Sequence, residues 1–273
     1  MFIWRKSAST DWLRENEARL PSGHAVIERP GFRRITIECS CDRRAEAEAL
    51  RRSFGGSIVA LPRDWLERFQ KSHAARPLRI GSRLTIVREK QQRSAPSELV
   101  IPAGAAFGTG DHATTAMSLR MLEAISRAWE KDWSMLDLGT GSGIFALAAK
   151  CFGAGRVVAV DDDPTAIATA KENARVNGIT GIDFHVADAT KLSRSQSFDI
   201  ITANLYSELL ITILPKTKSM LKRNGALILS GIMRVQERGV IGALRESGFQ
   251  AKTIRRRGKW IAILATHSDQ KPS

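Results

Sequence analysis

The pattern of hydrophobic and polar positions predicts its clearest structure in the middle of the chain. A short apolar run at 135–138 leads into three glycines at alternate positions and an alanine-rich stretch, and a second apolar run at 157–160 ends in Asp161. Short apolar runs bounded by glycine are typical of buried strands, and the stretch between them is typical of a helix. The segment therefore predicts a strand, a tight turn, a helix and a second strand.

The same pattern continues to the end of the chain as helices that alternate with short strands, the signature of an α/β fold. Pro164 suits a helix start and Gly178 a helix end. In order, the prediction is helix 164–177, strand 182–186, strand 198–203, helix 207–221, strand 226–230, helix 235–247, and a closing hairpin of residues 249–254 and 260–265.

The first third of the chain predicts a separate, smaller α/β domain. Residues 33–39 partly alternate between polar and apolar side chains, which indicates a half-buried strand. The other predicted elements are a short helix at 11–20, a helix at 42–54, a strand at 57–61, a helix at 65–73 and a hairpin at 79–87. Residues 89–97 are polar and contain a proline. We therefore predict a small basic domain at 1–88, which would recognise the substrate, a linker at 89–97 and a larger domain at 98–273.

Composition indicates an ordinary soluble protein, with 43% hydrophobic and 26% charged residues over 273 positions. There is no apolar run of membrane-spanning length, and the N-terminus does not resemble a signal peptide. The three cysteines include no CxxC pair, so we expect reduced thiols, a cytoplasmic location and no metal site. Alternation along a strand would place Cys39 and Cys41 together on the core face.

Net charge is the unusual feature. The chain carries +14, and residues 1–97 hold 20 Lys and Arg against 11 Asp and Glu, a net +9. Such a basic surface suggests RNA, a ribonucleoprotein or an acidic protein as a partner. A generally arginine-rich proteome explains the charge equally well.

The glycine turn is the first candidate site. Gly139, Gly141 and Gly143 allow a ligand to approach the backbone closely, and the helix that follows offers free N–H groups. Asp161, at the tip of the next strand, is placed to accept two hydrogen bonds from a ribose diol. Together these features predict a nucleoside pocket, although glycine turns between a strand and a helix are common without one.

Other candidate residues lie in loops and at strand ends. The glycine-rich loop 100–115 carries Phe107, His112 and Thr115, and its alternative interpretation is a capped surface loop. Asp188 follows the strand 182–186, and Asn204 follows the strand 198–203. Strand ends in α/β enzymes commonly hold functional groups. The alternatives are a carboxylate that caps a turn for Asp188 and an ordinary turn residue for Asn204.

The motifs resemble a known family. The pattern D-x-G-x-G-x-G, with an acid closing the second strand, resembles the S-adenosylmethionine site of Rossmann-like class I methyltransferases. The loop AFGTGDHATT followed by LDLGTGSGI resembles the ribosomal protein L11 methyltransferase (PrmA-type) family. Further matches to that family are VVAVDDDPTAIATAKENARVNG, TANLYSELL and LILSGI, and the resemblance covers roughly residues 62–265.

The resemblance implies a seven-stranded Rossmann-like domain whose last strand is antiparallel, and an S-adenosylmethionine-dependent N-methyltransferase acting on protein amino groups, with ribosomal protein L11 as the leading substrate. It implies Asn204 as a catalytic residue and His112 as a candidate base. The implied cofactor contacts are Phe107, Thr115, Gly139, Gly141, Gly143, Asp161, Asp188 and Asn204. The alternatives are an RNA methyltransferase recruited by the basic domain and a non-catalytic adaptor.

Two departures from the family pattern concern the acceptor side. Leu205, Tyr206 and Ser207 stand where the family has Ile-Leu-Ala, and Ala113 stands where proline is usual. Tyr206, the single tyrosine of the chain, either lines an acceptor pocket or packs in the interior.

Overall fold

The computed structural model describes residues 2–21, 24–27, 34–41, 43–60, 77–89, 98–102, 112–129, 132–192 and 196–268. The chain forms two compact units, Met1–Ala74 and Ala75–Ser273. The predicted helix at 65–73, nearly all of the predicted linker and the predicted site residue Phe107 lie outside the described residues.

The first unit is built on a four-stranded antiparallel sheet in the order β2-β3-β1-β4. Two helices accompany the strands in the chain. The elements are β1 (Phe2–Ala8), α1 (Thr10–Asn16), β2 (Ala25–Ile27), β3 (Ile35–Cys41), α2 (Arg44–Phe54) and β4 (Ser57–Ala60). The strand β1 was not predicted, because Arg5 and Lys6 interrupt its apolar pattern. It nevertheless lies inside the sheet, between β3 and β4.

One face of this sheet forms the core of the first unit. Alternate residues of β3 are buried, and they include Cys39 and Cys41, as predicted. Trp4 of β1 is fully buried, and its indole Nε1 donates a hydrogen bond of 2.8 Å to the carbonyl oxygen of Gly55, just after α2. Satisfying the indole N–H allows this large side chain to be buried without an unpaired donor.

The second unit contains a three-stranded and a seven-stranded sheet. The small sheet consists of β5 (Leu78–Ile80), β6 (Leu84–Val87) and β7 (Glu98–Val100). The predicted hairpin at 79–87 is present as β5 and β6, but it belongs to this unit and not to the first. The reason is long-range pairing: β6 runs parallel to β7, and Ile80, Leu84 and Leu99 join the core of the larger sheet. The predicted boundary at 89–97 therefore does not coincide with the division between the units.

The seven-stranded sheet has the order β10-β9-β8-β11-β12-β14-β13, and within it β14 runs in the direction opposite to the other six strands. Its strands are β8 (Trp133–Leu138), β9 (Ala154–Asp161), β10 (Ile182–Val186), β11 (Phe198–Asn204), β12 (Leu221–Met233), β13 (Phe249–Arg257) and β14 (Trp260–His267). This arrangement confirms the predicted Rossmann-like, seven-stranded α/β fold.

Helices cover both faces of this sheet. They are α3 (Ala113–Ser126), α4 (Ile144–Cys151), α5 (Pro164–Val176), α6 (Ser207–Met220) and α7 (Glu237–Glu246). The core is accordingly divided in two. Met135 of β8 packs with residues of α3 and α4, whereas its neighbour Leu136 packs with residues of α6 and α7. None of the helices in the described part of the chain is long and apolar enough to span a membrane.

The parallel strands place the candidate residues at one edge of the sheet. In the strand pairing, Leu138 of β8 lies opposite Val160 of β9, and Asn204 of β11 lies opposite Ser230 of β12. The carboxyl ends of parallel strands meet at the same edge, where α/β proteins bind ligands. This edge is therefore the place to examine for a functional site.

Candidate functional site

The glycine turn between β8 and α4 has the backbone geometry that only glycine adopts readily. Gly139, Gly141 and Gly143 have φ angles of 68°, 54° and 80°. The N–H groups of Gly139 and Thr140 donate to the carbonyl oxygen of Val160 at 2.8 and 3.0 Å, which anchors the turn on β9. The turn is thus held in shape by the backbone itself.

Two of these glycines also leave no room for a side chain. A Cβ atom at Gly139 would lie 2.3 Å from Cδ2 of Leu205, and one at Gly143 would lie 2.9 Å from Cβ of Ala170. The turn therefore packs closely against α5 on one side and against the residue after Asn204 on the other. This packing joins the glycine turn to the end of β11.

Asp161 is fixed at the tip of β9 by backbone donors. One carboxylate oxygen, Oδ2, accepts a hydrogen bond of 2.9 Å from the N–H of Gly141, and Oδ1 accepts one of 3.1 Å from the N–H of Asp163. The side chain is half-buried. Each carboxylate oxygen has further acceptor capacity. The carboxylate is therefore oriented by the protein and still able to bind a diol.

Asp137 anchors the glycine turn to β11, a role that the sequence analysis did not assign to it. Its carboxylate is fully buried and accepts hydrogen bonds of 2.6 Å from the hydroxyls of Thr140, in the turn, and Thr202, on β11. Burial raises the pKa of Asp137 to about 6, against the opposing effect of the two hydroxyl donors. The available sequence signal was an acid inside an otherwise apolar strand.

Asp188 lies just beyond β10 and caps a short 3-10 turn, Ala189–Lys191. Its Oδ1 accepts hydrogen bonds from the backbone N–H of Thr190 at 2.8 Å and from the hydroxyl of Thr190 at 2.7 Å. These hydrogen bonds, the hydroxyl first, lower the pKa of Asp188. The capping role considered in the sequence analysis is therefore present, and a contact with a ligand stays a prediction.

Asn204 ends β11 and is held by the neighbouring strand. Its side-chain oxygen, Oδ1, accepts a hydrogen bond of 2.7 Å from the hydroxyl of Ser230 on β12. The next residue, Leu205, donates its N–H to the carbonyl oxygen of Ser230 at 3.1 Å. The amide is half-buried, so the structure presents an oriented polar group beside the glycine turn.

The start of α3 supplies a histidine and a buried hydroxyl. His112 stands at the N-cap, its Nδ1 lies 2.7 Å from the hydroxyl of Thr114, and its ring meets the indole of Trp260 edge-on with centroids 4.8 Å apart. Burial, and secondarily the charge of Lys259, lower the pKa of His112. The hydroxyl of Thr115 is fully buried and has no hydrogen-bond partner among the described residues.

The structure thus brings most of the predicted site residues to one edge of the sheet. Gly141 is bonded to Asp161, and Gly139 packs against the segment that follows Asn204. His112 reaches the same edge through Trp260, which pairs with Met233 at the end of β12. Asp137 is the acid of the D-x-G-x-G-x-G pattern, but the sequence analysis assigned it no role. The residues that the sequence analysis missed are Thr140, Thr202, Ser230 and Trp260. They carry no local signal, because their roles depend on which strands pair.

The site fits the chemistry of S-adenosylmethionine. A ribose diol matches the free acceptor sites of the Asp161 carboxylate, and the glycine turn allows close approach of a ligand to the backbone. The hydroxyl of Thr115 is buried, and within the described part of the chain no group forms a hydrogen bond with it. Buried polar groups are rarely left unpaired, so this hydroxyl is consistent with a polar ligand.

Comparisons with known proteins agree on one family. The sequence model of the family described as Ribosomal protein L11 methyltransferase (PrmA) matches residues 52–268. Two relatives named Ribosomal protein L11 methyltransferase come from Symbiobacterium thermophilum and Pelobacter propionicus. The first is 38% identical over 78% of this chain and 71% of its own length, and the second is 39% identical over 74% and 66%.

A solved structure has the same fold. It is the ribosomal protein L11 methylase from Lactobacillus delbrueckii subsp. bulgaricus, with a TM-score of 0.64 and 33% identity over 70% of this chain and 98% of that chain. A third relative, from Heliobacterium modesticaldum, is 36% identical, and the match spans 60% of its length. The chain therefore spans about 60 to 71% of the length of these named relatives.

Proposed function

Because the chain belongs to the ribosomal protein L11 methyltransferase (PrmA) family, we propose that it transfers methyl groups from S-adenosylmethionine to amino groups of ribosomal protein L11. The family consists of methyltransferases, so the chain is an enzyme of that class. The observation that carries the proposal for the cofactor is the Asp161 carboxylate, which two backbone N–H groups orient beside a glycine turn.

The cofactor-binding residues would each contact a different part of the ligand. Asp161 would accept the hydrogen bonds of the ribose hydroxyls, and Gly139, Gly141 and Gly143 would let the nucleoside lie against the backbone. Asp188 lies one strand further along the edge, beyond β10, and would receive the adenine amine. Thr115, at the start of α3, completes the proposed contacts among the described residues, and Phe107 stays a prediction from the sequence.

When bound, S-adenosylmethionine supplies a methyl group on a positively charged sulfonium. The protein must then orient a neutral amine and exclude water. Asn204 is the group that would accept an N–H bond of the amine, because its side-chain oxygen lies at the strand end beside the glycine turn. An amine that donates an N–H to Asn204 would direct its lone pair at the methyl group.

An amino group that is protonated near pH 7 must lose a proton to become the neutral amine that attacks. His112 is the candidate acceptor of that proton, because its lowered pKa leaves the imidazole neutral near pH 7. Its Nδ1 lies 2.7 Å from the hydroxyl of Thr114, which orients the ring. Loss of the proton to bulk water before the amine docks is the alternative route.

Tyr206 is the proposed contact with the acceptor protein. It follows Asn204 by two residues and caps α6, and 62% of its surface is exposed. This exposure favours a contact with another molecule over simple packing, the other interpretation of this residue. Tyrosine is enriched at protein interfaces because it combines an apolar ring with a polar hydroxyl. We include the first unit in the proposal as a further part of the substrate-recognition surface.

The other two functions are not favoured. Every relative reported above is named for a ribosomal protein and not for RNA, and the intact Gly141–Asp161 interaction argues against a non-catalytic adaptor. A cytoplasmic location belongs to the same proposal, since a ribosomal protein would be the substrate.

The test combines labelled cofactor with a matched pair of variants. Purified enzyme is incubated with methyl-labelled S-adenosylmethionine and either L11 or a lysate of cells lacking the enzyme, with and without nuclease. We expect label in L11 that survives nuclease, its loss in Asp161→Ala, and its retention in Asp162→Ala, which removes the exposed neighbouring carboxylate. Label that disappears with nuclease would instead support an RNA substrate.

A further inference from the structure

Strand β12 is irregular at the point where it meets the end of β11. The pairing of β12 with β14 shifts register between Ser230 and Ile232, so Gly231 forms a bulge, and its φ angle is 85°. A Cβ atom at Gly231 would lie only 2.2 Å from the carbonyl oxygen of Leu205. Bulges of this kind redirect a neighbouring side chain, and they are common beside active sites.

Ser230, the residue before the bulge, forms hydrogen bonds with two consecutive residues, Asn204 at the end of β11 and Leu205 just after it. Its hydroxyl donates to Oδ1 of Asn204 at 2.7 Å, and its carbonyl oxygen accepts the N–H of Leu205 at 3.1 Å. Ser230 is itself 1% exposed and Asn204 is half-buried, so the bond between their side chains is partly shielded from water. The backbone bond fixes the position of the Asn204–Leu205 segment, and the hydroxyl fixes the rotation of the amide.

The rotation of the amide decides which group Asn204 offers to an acceptor. A side-chain amide presents an oxygen acceptor on one side and an NH₂ donor on the other. The hydroxyl of Ser230 uses one of the two lone pairs of Oδ1 and leaves the second for another donor. A reversed amide would present its NH₂ group, which repels the N–H bonds of an amine.

We propose that Ser230 is a positioning residue of the methyl transfer, which holds the Asn204 oxygen in the orientation that receives an N–H of the acceptor amine. The proposal rests on the proposed function, because it takes an amine as the acceptor. Ser230 itself touches neither the amine nor the methyl group in this arrangement. Its contribution passes entirely through Asn204.

The chain provides a matched control for this role. Ser134, at the other end of the sheet, is also buried, and its hydroxyl donates at 2.7 Å to Asp199. Asp199 and Asn204 both lie on β11, near its two opposite ends. Ser134→Ala and Ser230→Ala therefore each remove a buried hydroxyl that supports β11, and only the second removes one beside the site.

The kinetic test is a double-mutant cycle of Ser230→Ala and Asn204→Ala, with Ser230→Cys as a variant that keeps the volume but donates weakly. A neutral hydrogen bond contributes about 0.5–1.5 kcal/mol, which corresponds to roughly a two- to tenfold loss. We expect that loss in kcat for Ser230→Ala and Ser230→Cys, unchanged S-adenosylmethionine affinity, and almost no further loss when Ser230→Ala is added to Asn204→Ala. A kcat for Ser230→Ala equal to that of Ser134→Ala, or equal losses in both Asn204 backgrounds, would overturn the proposal.

A second measurement needs no acceptor. The side-chain amide of Asn204, observed by NMR, should be rigid in the wild type and in Ser134→Ala and mobile in Ser230→Ala. If the wild type fails to methylate L11 while this difference is present, the proposed function fails and the positioning of Asn204 stands. A mobile amide in the wild type would reject the positioning role whatever the substrate.

Discussion

Asp137 shows how one buried carboxylate organises the site at the scale of a residue. It receives the hydroxyls of Thr140 and Thr202, so it links the glycine turn to the strand that carries Asn204. Burial makes the charged form costly, and its pKa is accordingly raised to about 6. The folded protein therefore holds a proton on Asp137 more tightly than the unfolded chain does.

This difference predicts a specific pH dependence of stability. The contribution of Asp137 is fully present below the pKa of an ordinary aspartate, near 4, and is lost as the pH rises to about 6. We expect the free energy of unfolding of the wild type, relative to Asp137→Asn, to fall by about 3 kcal/mol over that interval. Urea denaturation of both proteins across the interval measures it, and parallel stability curves would contradict it.

Gly139 provides a second prediction at this scale. Gly139→Ala combines a positive φ angle of 68° with a collision against Leu205, whereas Gly178→Ala has a φ angle of 63° and no atom within 4 Å. We expect Gly178→Ala to cost about 1 kcal/mol of stability and Gly139→Ala about 2–4 kcal/mol. Calorimetry should show weakened S-adenosylmethionine binding for Gly139→Ala alone, and equal binding by the two variants would be the contrary result.

At the scale of elements, α3 carries two buried hydroxyls, and replacing each of them distinguishes an effect on ligand binding from an effect on packing. Thr115 and Ser118 are both buried, and neither hydroxyl has a partner among the described residues. An unpaired buried hydroxyl reduces stability, so replacing it with an apolar group of similar shape should not harm the ligand-free fold. The two positions differ in their expected relation to the cofactor, because Thr115 is the proposed contact.

We expect Thr115→Val to leave the ligand-free protein as stable as the wild type, or up to about 2 kcal/mol more stable. The same variant should bind S-adenosylmethionine about fivefold more weakly, the effect of one lost hydrogen bond. Ser118→Ala is the matched control, with unchanged affinity. Titration calorimetry and thermal unfolding give both quantities, and equal affinities for the two variants would remove Thr115 from the site.

Comparing predicted and observed elements shows where local sequence is sufficient. The strand Ile182–Val186 and the helix Pro164–Val176 agree with prediction almost to the residue, since proline, glycine and apolar runs mark their ends. The helix α3 begins at Ala113, so it includes the last three residues of the predicted loop 100–115, and β12 extends well beyond the predicted 226–230. In β12 the polar residues Lys222–Asn224 resemble a turn, yet they continue the strand.

The features of the site also divide into those that local sequence predicts and those that depend on pairing between distant segments. The spacing of Gly139, Gly141 and Asp161 is local, and it predicts the turn and the strand-end carboxylate that the structure contains. The contact between Ser230 and Asn204 depends on the register of β11 against β12, which no local pattern encodes. Pairing between distant segments is therefore the part of this site that requires the three-dimensional structure.

At the scale of the whole molecule, the division into two units separates two proposed functions. All the described candidate site residues lie in the unit Ala75–Ser273. The unit Met1–Ala74 has its own core, which includes the fully buried Trp4 and Ile37. Residues 1–74 hold 14 Lys and Arg against 10 Asp and Glu, a net +4, so most of the positive charge of the chain belongs to the second unit. Binding of the cofactor should therefore tolerate damage to the first unit.

We expect Ile37→Ala to destabilise the first unit by about 2–5 kcal/mol without changing S-adenosylmethionine affinity, while lowering the rate of L11 methylation. Ile201→Ala, at an equally buried position of β11, should weaken cofactor binding. In thermal unfolding, cofactor at a hundred times its Kd should stabilise the second unit by about 2.7 kcal/mol. Loss of cofactor binding in Ile37→Ala would show that the units do not act separately.

The orientation of Asp161 by backbone N–H groups has a consequence for the release of the product. Its carboxylate is oriented by backbone N–H groups, and its proposed ligand is a ribose that methyl transfer leaves unaltered. A contact of this kind stabilises the spent cofactor, S-adenosylhomocysteine, as well as the fresh one. The enzyme should accordingly suffer strong product inhibition, and its activity in the cell would follow the ratio of the two compounds more than the amount of either.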